Sequence, residues 1–436
     1  MRAIVASKRR PAVWSALAAE RFVSHNMIMG VSTLLAGALG FFMQALLSHR
    51  LMPADFGIAF GVLSLLMLIL LPTNAVMLVM AKETSRDHAA GRSDPSAAVM
   101  WLWHRYLMLG GFAIAAAGIL GADSLSRFFN VPSAAIAPAA LSIPFGLALP
   151  ALLGQLQGRQ RFFKLSLLLV GQAALRLVAA VGFAVFLGAV GVLIGVAVGS
   201  VLVYLLALGM VGRPRAPRAT QRRESREAFR SLAIILPSSL ALAVLFGTDV
   251  LLVKHFFNGV DAGRYAAVAA LGRAIFWGAS GITIVLFPKA ALRASQGSSG
   301  VHLVLGSVAI CLLGGLAGLA ILSLGAPLIL TVFAGYQYAA ASTYLPWYAI
   351  AMTLFGGSSV LVANAQARGK ADFLAVLIPV MLLEPVLIIA FHQTLNQVVQ
   401  VLSLSMAVLF IGLAALYLVQ ERAAARPKLV LEGATA

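Results

Sequence analysis

Apolar residues in this chain come in long, nearly unbroken runs, not in the period-2 or one-stripe patterns of half-buried strands and surface helices. A helix needs about 20 mostly apolar residues to cross a hydrocarbon layer of ~30 Å. Twelve segments meet that measure: 27–48, 56–81, 99–121, 136–156, 165–187, 189–211, 231–256, 264–288, 302–324, 341–363, 373–391 and 398–419. The pattern predicts an all-α polytopic membrane protein with twelve transmembrane helices in two pseudo-symmetric six-helix bundles. The intervening polar stretches are short, and the longest, 212–230, is rich in Arg and divides the spans six and six. The expected organisation is therefore a basic N-terminal segment (1–26), a first bundle (27–211), the connector (212–230), a second bundle (231–419) and a short tail (420–436). Residues 1–26 carry Arg2, Lys8, Arg9, Arg10 and Arg21 with Pro11 and Trp14. The apolar run that follows exceeds the ~7–15 residues of a signal-peptide core, so the segment is expected to be retained and interfacial.

Composition agrees. Apolar residues make up 61% of the 436 and charged residues only 11%, against about 25% charged in ordinary soluble domains. Mean hydropathy is +0.96. So few charges could not cover the surface of a soluble enzyme, a nucleic-acid binder or a disulfide scaffold. Cys311, the single cysteine, is expected to be a small buried hydrophobe.

The net charge of +18 has a topological meaning. With both termini on one side, the segments on that side hold 25 Lys and Arg, and those opposite hold only Arg50, Arg127 and Arg264. Cytoplasmic loops retain Lys and Arg, so the imbalance predicts cytoplasmic termini and contact with membrane lipids of anionic character.

The two halves also repeat. A shift of 206 places His49 on His255, Asp55 on Asp261 and Gly57 on Gly263. A shift of 207 places Lys82 on Lys289 and Arg86 on Arg293, and Gln155, Gly158 and Phe162 match Gln366, Gly369 and Phe373. Six spans per half is even, so both halves start from the same side. Such parallel repeats suit transporters that rock one half against the other about a site at mid-membrane.

Three of these stretches resemble a known family. LSHRLMPADFGIAFGVLSLLMLILLPTNAVMLVMAKETSR (Leu47–Arg86), TDVLLVKHFFNGVDAGRYAAVAALGRAIFW (Thr248–Trp277) and LPWYAIAMTLFGGSSVLVANAQARGKADF (Leu345–Phe373) are similar to the first hairpin, the seventh span with its Gly-x-Tyr turn, and the tenth span of oligosaccharide flippases of the Wzx type. These belong to the multidrug/oligosaccharidyl-lipid/polysaccharide (MOP) exporter superfamily. The resemblance implies a MOP-like fold and a non-enzymatic flippase for polyprenyl-diphosphate-linked glycan in cell-surface polysaccharide biosynthesis. It also implies a polysaccharide polymerase and glycosyltransferases as partners, with no part for nucleic acid. The chain departs from the family's first hairpin in having Pro72-Thr73-Asn74 where a Gly is common.

Six ionisable residues fall inside spans: Arg105, Arg176, Lys254, Arg273, Asp249 and Glu384. Charges at that depth cost several kcal/mol (~2.5–3.5 on insertion scales) and by default face a bundle interior or a wet cavity. Arg273 precedes Trp277 by one helical turn; a guanidinium that grips phosphate beside a ring that stacks on sugar suits a glycosylated diphosphate. Arg176, Arg273, Trp277, Arg105 and Asn74 are therefore the substrate-binding candidates, Arg105 being near enough to one surface to snorkel. An Arg pairing with Asp249 or Glu384 to brace the bundle is the alternative. Asp249 and Glu384, the latter next to Pro385 and its kink, are the candidates for ion coupling, to proton or sodium. Lys254 lies five residues from Asp249, ~140° round the helix, and is expected at the membrane interface. Gln44, Gln155 and Gln172 are polar enough to line a sugar path or to bond between helices. The chain lacks a G-x-x-x-x-G-K-[ST] loop, an H-E-x-x-H motif and any paired Cys/His set, so neither cofactor nor metal is expected. A multidrug or cation antiporter of the same superfamily and a membrane-embedded glycan polymerase are the rival readings.

Overall fold

The computed structural model describes residues 12–89, 95–211, 221–295 and 301–425. The first eleven residues, the first half of the expected connector and the last eleven residues lie outside it. The described residues form α1 (Ala12–Arg50), α2 (Pro53–Leu70), α3 (Asn74–Ala89), α4 (Pro95–Leu120), α5 (Ala122–Phe129), α6 (Ser133–Gly158), α7 (Phe162–Val211), α8 (Gln221–Phe256), α9 (Gly259–Ser295), α10 (Val301–Leu324), α11 (Ala326–Ala334), α12 (Leu345–Ala367), α13 (Leu374–Ala390) and α14 (Leu395–Ala425). The twelve expected crossings map onto α1, α2 with α3, α4, α6, the two arms of α7, α8, α9, α10, α12, α13 and α14. The protein is a multi-pass, all-helical membrane protein.

Local sequence explains the departures from simple rods. Pro72 cannot donate to the helix ladder, and α2 passes into α3 through a 3-10 turn at Leu71–Thr73, at the position where the sequence departs from the family. α7 reads as one 50-residue helix but breaks at Gly188, with φ +55° and ψ −135°, a conformation a Cβ would strain. The second arm folds back on the first through Gly191, Gly195 and Gly199, one turn apart on one face. A Cβ on Gly191 or Gly195 would lie within 2.5 Å of the backbone of Phe183 or Ala179. Small residues at four-residue spacing let backbones meet where lipid offers no hydrophobic drive. α8 begins at Gln221, so helix continues into the stretch expected to be an irregular connector.

Two elements went unforeseen. α4 turns by 72° into the short α5, and α10 is followed by the equally short α11. Both are too short to cross a bilayer, so a ruler of ~20 residues passes over them.

The repeat is visible in space. In the first bundle α6 packs against α3, α4 and α7; in the second, α12 takes the same place against α9, α10 and α14. α2 of the first half packs on α8 and α9 of the second. The repeat-equivalent residues Gly57 and Gly263 touch each other, since a Cβ on Gly57 would lie 2.8 Å from the Gly263 backbone nitrogen. Equivalent positions meet only beside the axis that relates the two halves.

The halves meet along α8, which packs on α2, α3 and α4 of the first bundle, and share their larger apolar core at one end. Near the α1–α2 and α8–α9 turns, a single apolar core runs through both bundles, with Leu47, Phe56 and Phe60 beside Val250, Tyr265, Phe333 and Tyr338. Toward the opposite end, which carries Lys82, Arg159, Arg161, Arg368 and Lys370, the first bundle has its own core of Val79, Met80, Met100, Leu152, Leu165 and Tyr204. The first is called here the closed end and the second the basic end.

Candidate functional site

The second bundle buries a polar cluster. Asp249 on α8 is 1% exposed and Arg273 on α9 is 3% exposed, and the guanidinium nitrogen lies 3.1 Å from the carboxylate. The other Asp249 oxygen accepts from two phenols, Tyr348 at 2.9 Å and Tyr265 at 3.0 Å. Arg273 also donates to the Phe246 carbonyl at 2.6 Å, to the Tyr348 hydroxyl at 3.2 Å and to Ser64 of α2 at 3.5 Å. Its guanidinium lies over the Phe246 ring, 4.6 Å from the centroid, in cation–π contact. Gly272 makes this possible: a Cβ there would sit 2.4 Å from the Tyr348 ring, which rests on α9.

This geometry answers the question the sequence left open for Arg273. Its donors are turned inward to Asp249, Tyr348, the Phe246 carbonyl and the Ser64 hydroxyl, so it braces α8, α9 and α12. Trp277 does share its helix, but the indole meets Phe246 edge-on at 5.8 Å and is 47% exposed. Asp249 accepts three bonds in all, one on Oδ1 and two on Oδ2. Glu384 on α13 differs: it is fully buried, and neither carboxylate oxygen has a hydrogen-bond partner among the described residues. Asp249 and Arg273 are close enough for their charges to act on it.

Lys254, at the end of α8, is covered by protein and not exposed. It is 3% exposed, its stem lies against Gly61 of α2, and the acid whose charge acts on it is Asp55. Lys254 stands in the last turn of α8, where α2 covers it.

Arg176 lies near the middle of the first arm of α7, its stem against Gly199 of the second arm. It is half-buried, its Nε is buried without a hydrogen bond, and no carboxylate among the described residues pairs with it. Arg105 on α4 and Asn74 at the start of α3 are exposed. Among the described residues, no hydrogen bond or ion pair joins Arg105, Asn74 or Arg176 to Arg273. Of the glutamines, Gln44 and Gln155 each keep a buried, unpartnered carbonyl oxygen.

Sequence reasoning missed the two tyrosines that hold Asp249. Tyr265 was within reach, since it closes the Gly-x-Tyr turn, but a phenol in an apolar run carries no periodic signal. It also missed a buried pair in the first bundle, His104 and Tyr204, bonded at 3.0 Å with stacked rings.

No family model and no curated protein matches the sequence. Solved structures do match its fold. An inward-facing multidrug resistance MATE family transporter of the MOP superfamily superposes with a TM-score of 0.69 at 15% identity, over 91% of this chain and 100% of that one. The lipid II flippase MurJ, in an inward closed conformation, gives 0.70 at 13% identity, over 90% and 87%. An outward-facing MATE family transporter of the MOP superfamily gives 0.60 at 14% identity, over 92% and 93%. At these identities the likeness establishes the MOP fold.

Proposed function

We propose that this protein is a flippase that carries polyprenyl-diphosphate-linked oligosaccharide across the inner (plasma) membrane by alternating access, supplying cell-surface polysaccharide assembly. The basic end and both termini face the cytoplasm, where glycosyltransferases build the substrate, and the closed end faces outward, where a polymerase receives it. The reading rests most on Arg176. A cation held at mid-depth without a counter-charge is costly, and an arriving phosphate removes that cost with the forked geometry a guanidinium matches. Arg105 and Asn74 are exposed and so available to the diphosphate or sugar, and Trp277 can offer a ring face to the glycan. Arg273 serves as the brace beneath that surface.

Ion coupling falls to Glu384. Asp249 is already compensated by its Arg and two phenols, whereas a buried carboxylate without a donor is compensated by a proton or a small cation. Binding there neutralises the second bundle's interior, and release exposes a charge whose solvation differs between the two states. The likeness to a lipid II flippase supports the substrate class, and the equal likeness to multidrug transporters supports the exporter mechanism.

The test is reconstitution in liposomes with a fluorescent polyprenyl-diphosphate oligosaccharide placed in one leaflet. The parent should move it to the other leaflet, Arg176→Ala should not, and Arg176→Lys should retain a fraction. Normal translocation by Arg176→Ala would remove the residue from the mechanism. Accumulation of a lipophilic cation such as ethidium, with no movement of the glycan lipid, would establish the antiporter reading instead.

A further inference from the structure

The closed end is fastened by a contact made twice. His49, at the end of α1 in the first half, bonds through Nε2 to the Val332 carbonyl in the last turn of α11, 3.0 Å away in the second half. His255, at the end of α8 in the second half, bonds through Nδ1 to the Phe128 carbonyl in the last turn of α5, 2.5 Å away in the first half. Each contact is answered in return. Asn130, the left-handed residue that caps α5, donates its amide to the His255 carbonyl at 3.1 Å. Gln337, just past α11, donates its amide to the Leu51 carbonyl at 3.1 Å. His49 and His255 are the repeat-equivalent pair, and α5 and α11 are the equivalent short helices.

With Ser48 donating to the Phe333 carbonyl at 3.3 Å and Tyr338 to the Leu51 carbonyl at 3.4 Å, six side-chain bonds cross between the halves at this end among the described residues, three from each half. In all six the acceptor is a carbonyl at or near a helix C-terminus, where such groups have no intrahelical partner. None of these bonds is to a carboxylate, so breaking them strands no buried ion pair. Between the latches, α2 and α9 meet backbone to backbone at Gly57 and Gly263. From this geometry we infer that the two histidine latches are the fastening that opens when the closed end opens, and that α5 and α11 exist in the fold to be gripped. Neither short helix spans the membrane, and each places its C-terminal carbonyls over the other half's histidine.

The inference rests on the alternating-access reading but not on any substrate. The experiment uses the full chain in detergent and in lipid nanodiscs, without ligand. Spin labels go on the exposed Met52→Cys and Val260→Cys, across the closed end, in a Cys311→Ser background. Pulsed dipolar spectroscopy then reads the distance distribution. The parent should show one dominant short distance. His49→Ala/His255→Ala should populate a second, longer distance, with the closed-to-open ratio falling roughly tenfold for two partly exposed hydrogen bonds. The single variants should each give part of the effect. His49→Gln/His255→Gln, which keeps an amide donor, should recover much of it. Asn130→Ala/Gln337→Ala removes the answering bonds and should act in the same direction without touching either histidine. An unchanged distribution in both double variants, each eluting as a folded monodisperse species, would overturn the assignment, and so would a longer distance in the glutamine variant equal to that in the alanine variant. Failure of glycan-lipid transport in the parent would count against the proposed substrate and leave this measurement intact.

Discussion

Replacing Arg273 with Met keeps a long, flexible, volume-filling side chain but leaves Asp249 buried with only its two phenol donors. Removing one partner of a buried ion pair destabilises by about 3–5 kcal/mol, because the remaining charge is left uncompensated. Tyr265 and Tyr348 still donate to one carboxylate oxygen, which places the expected loss toward the lower bound, about 3 kcal/mol. Asp249→Asn should be milder, since the amide oxygen can still accept from a phenol while Arg273 keeps the Phe246 carbonyl. The double variant Asp249→Asn/Arg273→Met removes both charges, and buried pairs replaced by neutral groups of similar volume are often near-neutral in stability. It should therefore lie well above the sum of the single effects, with a coupling of about 2 kcal/mol. The assay is the apparent melting temperature in one detergent at one scan rate, since membrane-protein unfolding is commonly irreversible and scan-rate dependent. The expected order is parent, Asp249→Asn, double variant, then Arg273→Met lowest. An Arg273→Met protein that melts with the parent, or a double variant at the additive sum, would refute the argument that this pair is a brace.

Gly263→Ala should force α2 and α9 apart at the closed end, because its Cβ would lie 1.7 Å from the Pro53 carbonyl oxygen; the Met52–Val260 distance should lengthen. Gly306→Ala on α10, where a Cβ meets nothing within 4 Å, is the control and should leave that distance alone while gaining a few tenths to about 1 kcal/mol of helix stability. Glu384→Gln should melt no lower than the parent, since no donor depends on that carboxylate, yet transport should stop responding to an imposed proton or sodium gradient. A gradient response that survives in Glu384→Gln would assign the coupling elsewhere.

The fold was legible where the bilayer dictates it. A thirty-ångström apolar layer imposes a minimum run length, and the twelve runs became the twelve crossings, broken where Pro72 and Gly188 said they could break. The short α5 and α11 were hidden because each falls well below that minimum length. The charges in the spans were found easily, since any ionisable residue stands out among so many apolar ones. Their partners were not found. Arg273 and Asp249 are 24 residues apart on different helices, and whether a guanidinium points at a carboxylate or a cavity depends on how α8, α9 and α12 pack, which no spacing along the chain records. The cover over Lys254 went unseen for a related reason: distance from a helix end gives depth, but says nothing of what covers that depth from the side.

Duplication gave the two halves the same frame and different furniture. The residues 206 positions before Asp249, Tyr265 and Arg273 are Met43, Ala59 and Met67, so where the second half is pinned by a charged knot the first is filled with thioethers and a methyl. Thioether packing yields readily, and directional bonds among buried polar groups do not. When the molecule rocks, then, the second half should turn as a stiff lever while the first flexes around it, and the two faces of the pathway, alike in outline, should differ in compliance.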